Sequence, residues 1–130
     1  MDLNQITLSV RDLQTGIGFL SKIGLRLIVH NPEGRYARFE LPSGSTTLSI
    51  TENPETTPGD SILYFEVEDV QRRYDELRAA GVEFESPPTE QSWRWCEAHF
   101  SDPTGNRFCL FHAGPDRRFP PWRLTGPAFG

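Results

Sequence analysis

Apolar and polar positions alternate in short runs along most of this chain, and the runs fall into two similar sets. Ile6, Leu8 and Val10 alternate with Gln5, Thr7 and Ser9, while Leu63, Phe65 and Val67 alternate with Ile62, Tyr64 and Glu66. A period of two is the mark of a strand with one covered face. A helix is predicted after each run. Asp12 and Asp69 stand where a carboxylate can accept from the free N–H groups of a first turn, and Val70, Tyr74 and Leu77 recur at helical spacing. Gly81 closes the second helix, where left-handed backbone is wanted. The first helix is the weaker, because Gly16 and Gly18 each cost about 1 kcal/mol relative to alanine. Three strand-like runs follow each helix: 25–30, 35–41 and 46–51, then 82–86, 93–100 and 107–112. Pro, Gly and Asn cluster between them, as turns require.

The two sets are copies of one unit. Val10 matches Val67, Asp12 matches Asp69 and Gly24 matches Gly81, each pair 57 residues apart. "LPSGSTTLSI" (41–50) repeats as "DPTGNRFCLF" (102–111). A duplicated βαβββ unit predicts an α+β fold, with two curved mixed sheets around a cup and helices on the outer face. One domain spans 1–112, with units at about 3–51 and 61–112 and a polar linker at 52–60. The remainder, 113–130, has four prolines and three glycines and reads as an extended arm or a frayed end. Its Phe119, Trp122 and Phe129 could dock on a groove of the same dimer or of another protein.

If the alternating apolar set faces the helices, the other set lines the cup. That set includes Ser49 on one strand, Tyr64 and Glu66 on another, and Arg107, Cys109 and Phe111 on a third. Along "SWRWCEAHF" (92–100), Trp93, Trp95, Glu97 and His99 take the cup side. Trp93, Trp95, Tyr64 and Phe111 offer flat faces for stacking. Glu97 and Glu66 could meet a cation, and Arg38 and Arg107 a carboxylate or carbonyl.

Charge narrows the partners. A net charge of −5 disfavours nucleic acid, which requires a basic face. No apolar run approaches membrane-spanning length, and the first residues lack a secretory pattern, so a cytoplasmic protein is expected. Cys96 and Cys109 have no motif spacing and are expected as free thiols.

The βαβββ duplication, the "VRDL" and "VEDV" strand-to-helix turns and the "DPTGN" turn resemble the vicinal oxygen chelate superfamily over residues 3–112. Glyoxalase I, extradiol dioxygenases, fosfomycin-resistance enzymes and bleomycin-resistance proteins are its members. The resemblance implies a divalent metal held at four strand positions, which here are Gln5, Ser49, Ile62 and Cys109. Ile62 has no donor atom and Ser49 is a poor ligand, so no metal or other cofactor is expected. The segment Glu90–Arg94, followed by Asp102–Asn106, is similar to one that bleomycin-resistance proteins carry before their last strand. The resemblance therefore implies a non-catalytic homodimer that sequesters an antibiotic or another planar natural product. The alternative is a metal-dependent lyase, isomerase or dioxygenase, its divalent ion held by a relocated set drawn from His99, Glu97, Cys109 and Gln5.

Overall fold

The computed structural model describes residues 1–126. The first unit runs β1 (Gln5–Val10), α1 (Leu13–Lys22), β2 (Arg26–Asn31), β3 (Tyr36–Glu40) and β4 (Thr47–Glu52). The second runs β5 (Ile62–Glu66), α2 (Val70–Ala79), β6 (Thr89–Glu90), β7 (Cys96–Ser101) and β8 (Arg107–His112). Each unit forms its own four-stranded mixed sheet, in the orders β1-β4-β3-β2 and β5-β8-β7-β6. The first strand of each unit pairs parallel with the last, and the other pairings are antiparallel.

Local chemistry explains the helices. Asp12 accepts from the Thr15 N–H at 2.9 Å and Asp69 from the Arg72 N–H at 3.0 Å, each satisfying a donor that the first turn leaves free. Gly24 and Gly81 follow the helices at φ +102° and +98°, a conformation that costs glycine little. The glycines expected to weaken α1 have different roles. A Cβ on Gly16 would lie 2.9 Å from Ile50 Cδ1, whereas one on Gly18 would meet nothing within 4 Å. Gly16 lets the helix approach its sheet closely.

The helix-side faces share one core. Phe19 of α1 stacks on Phe108 of the second sheet, with centroids 6.0 Å apart, and also lies against Phe100. The "DPTGN" turn joins the units as well. Asp102 accepts from the N–H groups of Gly105 and Asn106, at 2.8 and 2.7 Å. The turn so shaped sends Thr104 Oγ1 to the N–H of Arg11 and Asn106 Nδ2 to the carbonyl of Ser9.

Two predicted strands differ from the fold. The run 82–86 does not form a strand: Phe84 makes one isolated bridge to Phe100, and the short β6 lies further on. Val82 is buried in the core and Phe84 packs on Tyr74, centroids 4.6 Å apart, so side-chain packing holds this segment. The following Pro87 and Pro88 have no N–H for a ladder. The run 93–100 begins as a strand only at Cys96. Before it, a turn is closed by Arg94 N–H to Gln91 O and Gln91 N–H to Trp95 O, with Arg94 at φ +74°. No helix among the described residues is long and apolar enough to cross a membrane. Phe129 of the predicted arm lies outside the described residues.

Candidate functional site

The face of the second sheet that points away from the helices carries most of the predicted site. Register places Tyr64 opposite Cys109, Cys109 opposite His99, and Phe111 opposite both Glu66 and Glu97. Trp95, just before β7, lies over Phe111 with centroids 4.9 Å apart. Tyr64 stands edge-on to Phe111, Trp95 and His99, at 5.4, 5.9 and 6.4 Å. Phe111 is buried, while Tyr64 and Trp93 are 45% and 43% exposed. The patch therefore has a fixed aromatic floor and accessible rims.

Glu97 is the charged group at its centre. Only 4% exposed, it accepts from Trp93 Nε1 at 2.7 Å and lies 2.9 Å from His99 Nε2. No arginine or lysine pairs with it among the described residues, and the Cys109 thiol, 4.0 Å from its Oε1, joins the indole and the imidazole in holding this carboxylate. Burial, and secondly the charge of Glu97, push the Cys109 thiol up to about 12. Burial and Glu97 likewise raise Tyr64 above the usual phenol range. Both groups stay protonated at neutral pH. Cys96 and Cys109 are free thiols.

The other predicted residues make their polar contacts elsewhere. Glu66 closes the edge of β5, where its Oε2 accepts from the N–H groups of Ala113 and Gly114, at 2.7 and 2.9 Å. It caps a 3-10 turn, Gly114–Asp116. Arg107 lines a cavity of about 240 Å³ with Ser9, Thr57 and Pro58. Arg38 and Ser49 belong to the first sheet, where they join Gln5 and Tyr36 in a hydrogen-bond network. No hydrogen bond, ion pair or aromatic contact among the described residues joins that network to the aromatic patch.

Sequence reasoning did not single out Tyr36, although it alternates with Arg38 and Glu40 along β3. It also missed the tie between the arm and the tryptophan turn, in which Arg94 Nε lies 3.1 Å from Asp116. Asp116 stands in no motif, and the Glu90–Arg94 segment gives no sign of what Arg94 meets.

The metal positions implied by the resemblance do not suit an ion. Ile62 offers no donor atom, and the Gln5 amide is engaged by Ser49 and Thr47. Ser49 Oγ is taken by Gln5 and Tyr36. A catalytic site needs about three good protein ligands and an open position.

A protein-family model described as the glyoxalase/bleomycin resistance protein/dioxygenase superfamily matches residues 2–110. The chain belongs to that superfamily. The chain is 34% identical over 120 residues to the uncharacterized protein YraH of Bacillus subtilis (strain 168), covering 82% of this chain and 94% of the relative. A superfamily structure from Nocardioides superposes with a TM-score of 0.76 at 24% identity, covering 96% of this chain and 90% of that one. A bleomycin-binding protein complexed with bleomycin superposes with a TM-score of 0.71 at 16% identity, covering 87% and 98%. These superpositions establish the shared fold, and activity within such a fold is decided by the site.

Proposed function

We propose that this superfamily member is a non-catalytic binding protein of the bleomycin-resistance type. It captures a planar aromatic small molecule, an antibiotic or similar natural product, by sequestration. The observation that carries this reading is the patch itself: Trp95 packed at a tilt on buried Phe111, with Tyr64 and Trp93 accessible at its rim. A flat ligand gains about 0.5–1.5 kcal/mol per aromatic contact beyond simple burial. Glu97 at the centre favours a ligand that carries positive charge beside its ring system. The protein works as a cytoplasmic homodimer, in which a second chain covers the sheet face that one chain leaves open. No bond is made or broken and no metal is required.

The test is a thermal-shift and tryptophan-quenching series with bleomycin and other planar natural products, cationic and neutral, beside divalent metals. An organic ligand at about 100 times its dissociation constant adds roughly 2.7 kcal/mol, or several degrees. Stabilisation by a planar compound without added metal supports the reading. Absence of any shift or quenching across the planar series removes its basis.

One observation favours a second reading, that of a metal-dependent enzyme. Donor atoms of Glu97, His99 and Cys109 lie within 4.8 Å of one another. Gln5 is on the other sheet and does not join them. Under this reading metal analysis of protein purified without chelator finds about one divalent ion per chain, and Cys109→Ser loses it. A metal content well below one ion per two chains eliminates the enzyme.

A further inference from the structure

The open face of the first sheet carries a cluster of different chemistry. Tyr36 and Arg38 share a face of β3, and Ser49 lies opposite Arg38 in register. Gln5 Nε2 donates to Ser49 Oγ at 2.7 Å, the Ser49 and Tyr36 hydroxyls are 2.6 Å apart, and Arg38 Nε donates to the Tyr36 oxygen at 2.8 Å. Ser49 is fully buried, while Tyr36 and Arg38 are partly exposed. With the donors running from Gln5 to Ser49 to Tyr36, the phenol oxygen accepts two hydrogen bonds. Its own proton is then free to be donated outward.

One further fact points to a ligand. The Arg38 guanidinium is pinned through Nε, yet it makes no ion pair among the described residues. Glu40, the carboxylate two residues along, is shared with Arg26 across the strand pair at 3.7 Å. The neighbouring Thr7, Ser9, Thr47 and Thr51 add only hydroxyls to this face.

We propose that Arg38 and Tyr36 form a carboxylate-binding site on the first sheet. The guanidinium presents its two outer nitrogens as a planar fork, which a carboxylate meets with two parallel hydrogen bonds. The phenol supplies one further O–H donor. Ser49 and Gln5 are positioning residues, which hold the phenol in its donating orientation. The site goes beyond the aromatic patch and does not depend on it.

The test uses the full chain, labelled with ¹⁵N so that the arginine Nε–H signals are followed. Sodium benzoate is titrated against sodium chloride and inorganic phosphate at matched ionic strength, because exposed charge interactions are screened by salt. A saturable shift of the Arg38 Nε–H with benzoate, absent with chloride, is expected. Tyr36→Phe keeps the ring and weakens benzoate roughly tenfold, the loss of one hydrogen bond to a charged group. Arg38→Lys keeps the charge without the fork and weakens it as well. Arg38→Gln moves the Tyr36 ultraviolet titration to higher pH, which an inert surface arginine would not do. An equal response to chloride, a stronger response to phosphate than to benzoate, or a shift that never saturates would overturn the assignment. The wild-type titration decides this even if a variant fails to fold.

Discussion

Trp93 donates its indole N–H to Glu97 across 2.7 Å, which ties a rim side chain to a carboxylate that is almost wholly buried. Any molecule that stacks on Trp93 therefore touches the group that anchors Glu97. Trp93→Phe keeps the ring and removes the donor. It should destabilise the fold by about 1–3 kcal/mol, the cost of depriving a buried acceptor of its partner. Urea denaturation measures the loss. Adding Glu97→Gln should shrink it, because a neutral amide tolerates the missing bond better than a carboxylate does; equal losses in both backgrounds would show that the bond contributes little.

Trp95→Ala removes the indole that packs on Phe111. Affinity for a planar ligand should fall by roughly 2- to 12-fold from the lost stacking alone, and further if the ligand covers the indole. Fluorescence or calorimetric titration checks this. Arg38→Gln, on the other sheet, should leave that affinity within about twofold for a ligand that bears no carboxylate.

The two glycines of α1 should respond oppositely to alanine. Gly18→Ala meets nothing within 4 Å and gains helix propensity, a stabilisation of about 0.5–1 kcal/mol. Gly16→Ala places a methyl 2.9 Å from Ile50 Cδ1 and 3.3 Å from Val10 Cγ2, both in the buried core, and overpacking there costs about 1–3 kcal/mol. The midpoints of chemical denaturation should move in opposite directions.

Stability should fall in alkali partly through Cys109. Its thiol ionises near 9 when unfolded and at about 12 when folded. Above pH 9 the unfolded chain therefore holds fewer protons than the folded one, and stability declines as pH rises. The contribution is fully present below pH 9 and is lost on the way to pH 12. Cys109→Ala should flatten this part of the profile, whatever its effect at pH 7. Denaturation curves at matched pH values, wild type beside variant, make the comparison.

Among the described residues, Glu66 and the Arg94–Asp116 pair hold the arm beyond β8 with unequal strength, and Glu66 also lies 3.9 Å from Arg117 Nε. Glu66 caps two N–H groups, whereas the Arg94–Asp116 pair is half exposed on the arginine side and contributes at most about 1 kcal/mol. Glu66→Ala should speed tryptic cleavage at Arg117 and Arg118 markedly, and Asp116→Ala only slightly. Timed proteolysis with mass detection distinguishes the two.

Much of the fold was legible because the repeat doubled every local signal. Asp12 and Asp69 cap as expected, and the alternation around Ile6 and Phe65 lies in β1 and β5. The glycines Gly24 and Gly81 end both helices with positive φ. The run 82–86 was misread because apolar residues there serve burial without a partner strand, and proline removes the ladder that would follow. Tyr36 escaped notice because nothing along the chain shows that its hydroxyl meets Ser49, 13 residues away.

The sequence by itself determined what is local or periodic: the caps, the alternation, the duplicated unit and the membership of the superfamily. It also showed that one implied metal position, Ile62, has no donor atom in any conformation. The tertiary structure alone decided which side chains meet. Strand register set Cys109 beside His99 and separated Arg38 from Trp95, and the left-handed turn at Arg94 brought Trp93 back to Glu97. Such pairings depend on contacts between distant segments, and side-chain identity along a single strand does not encode which strand lies beside it.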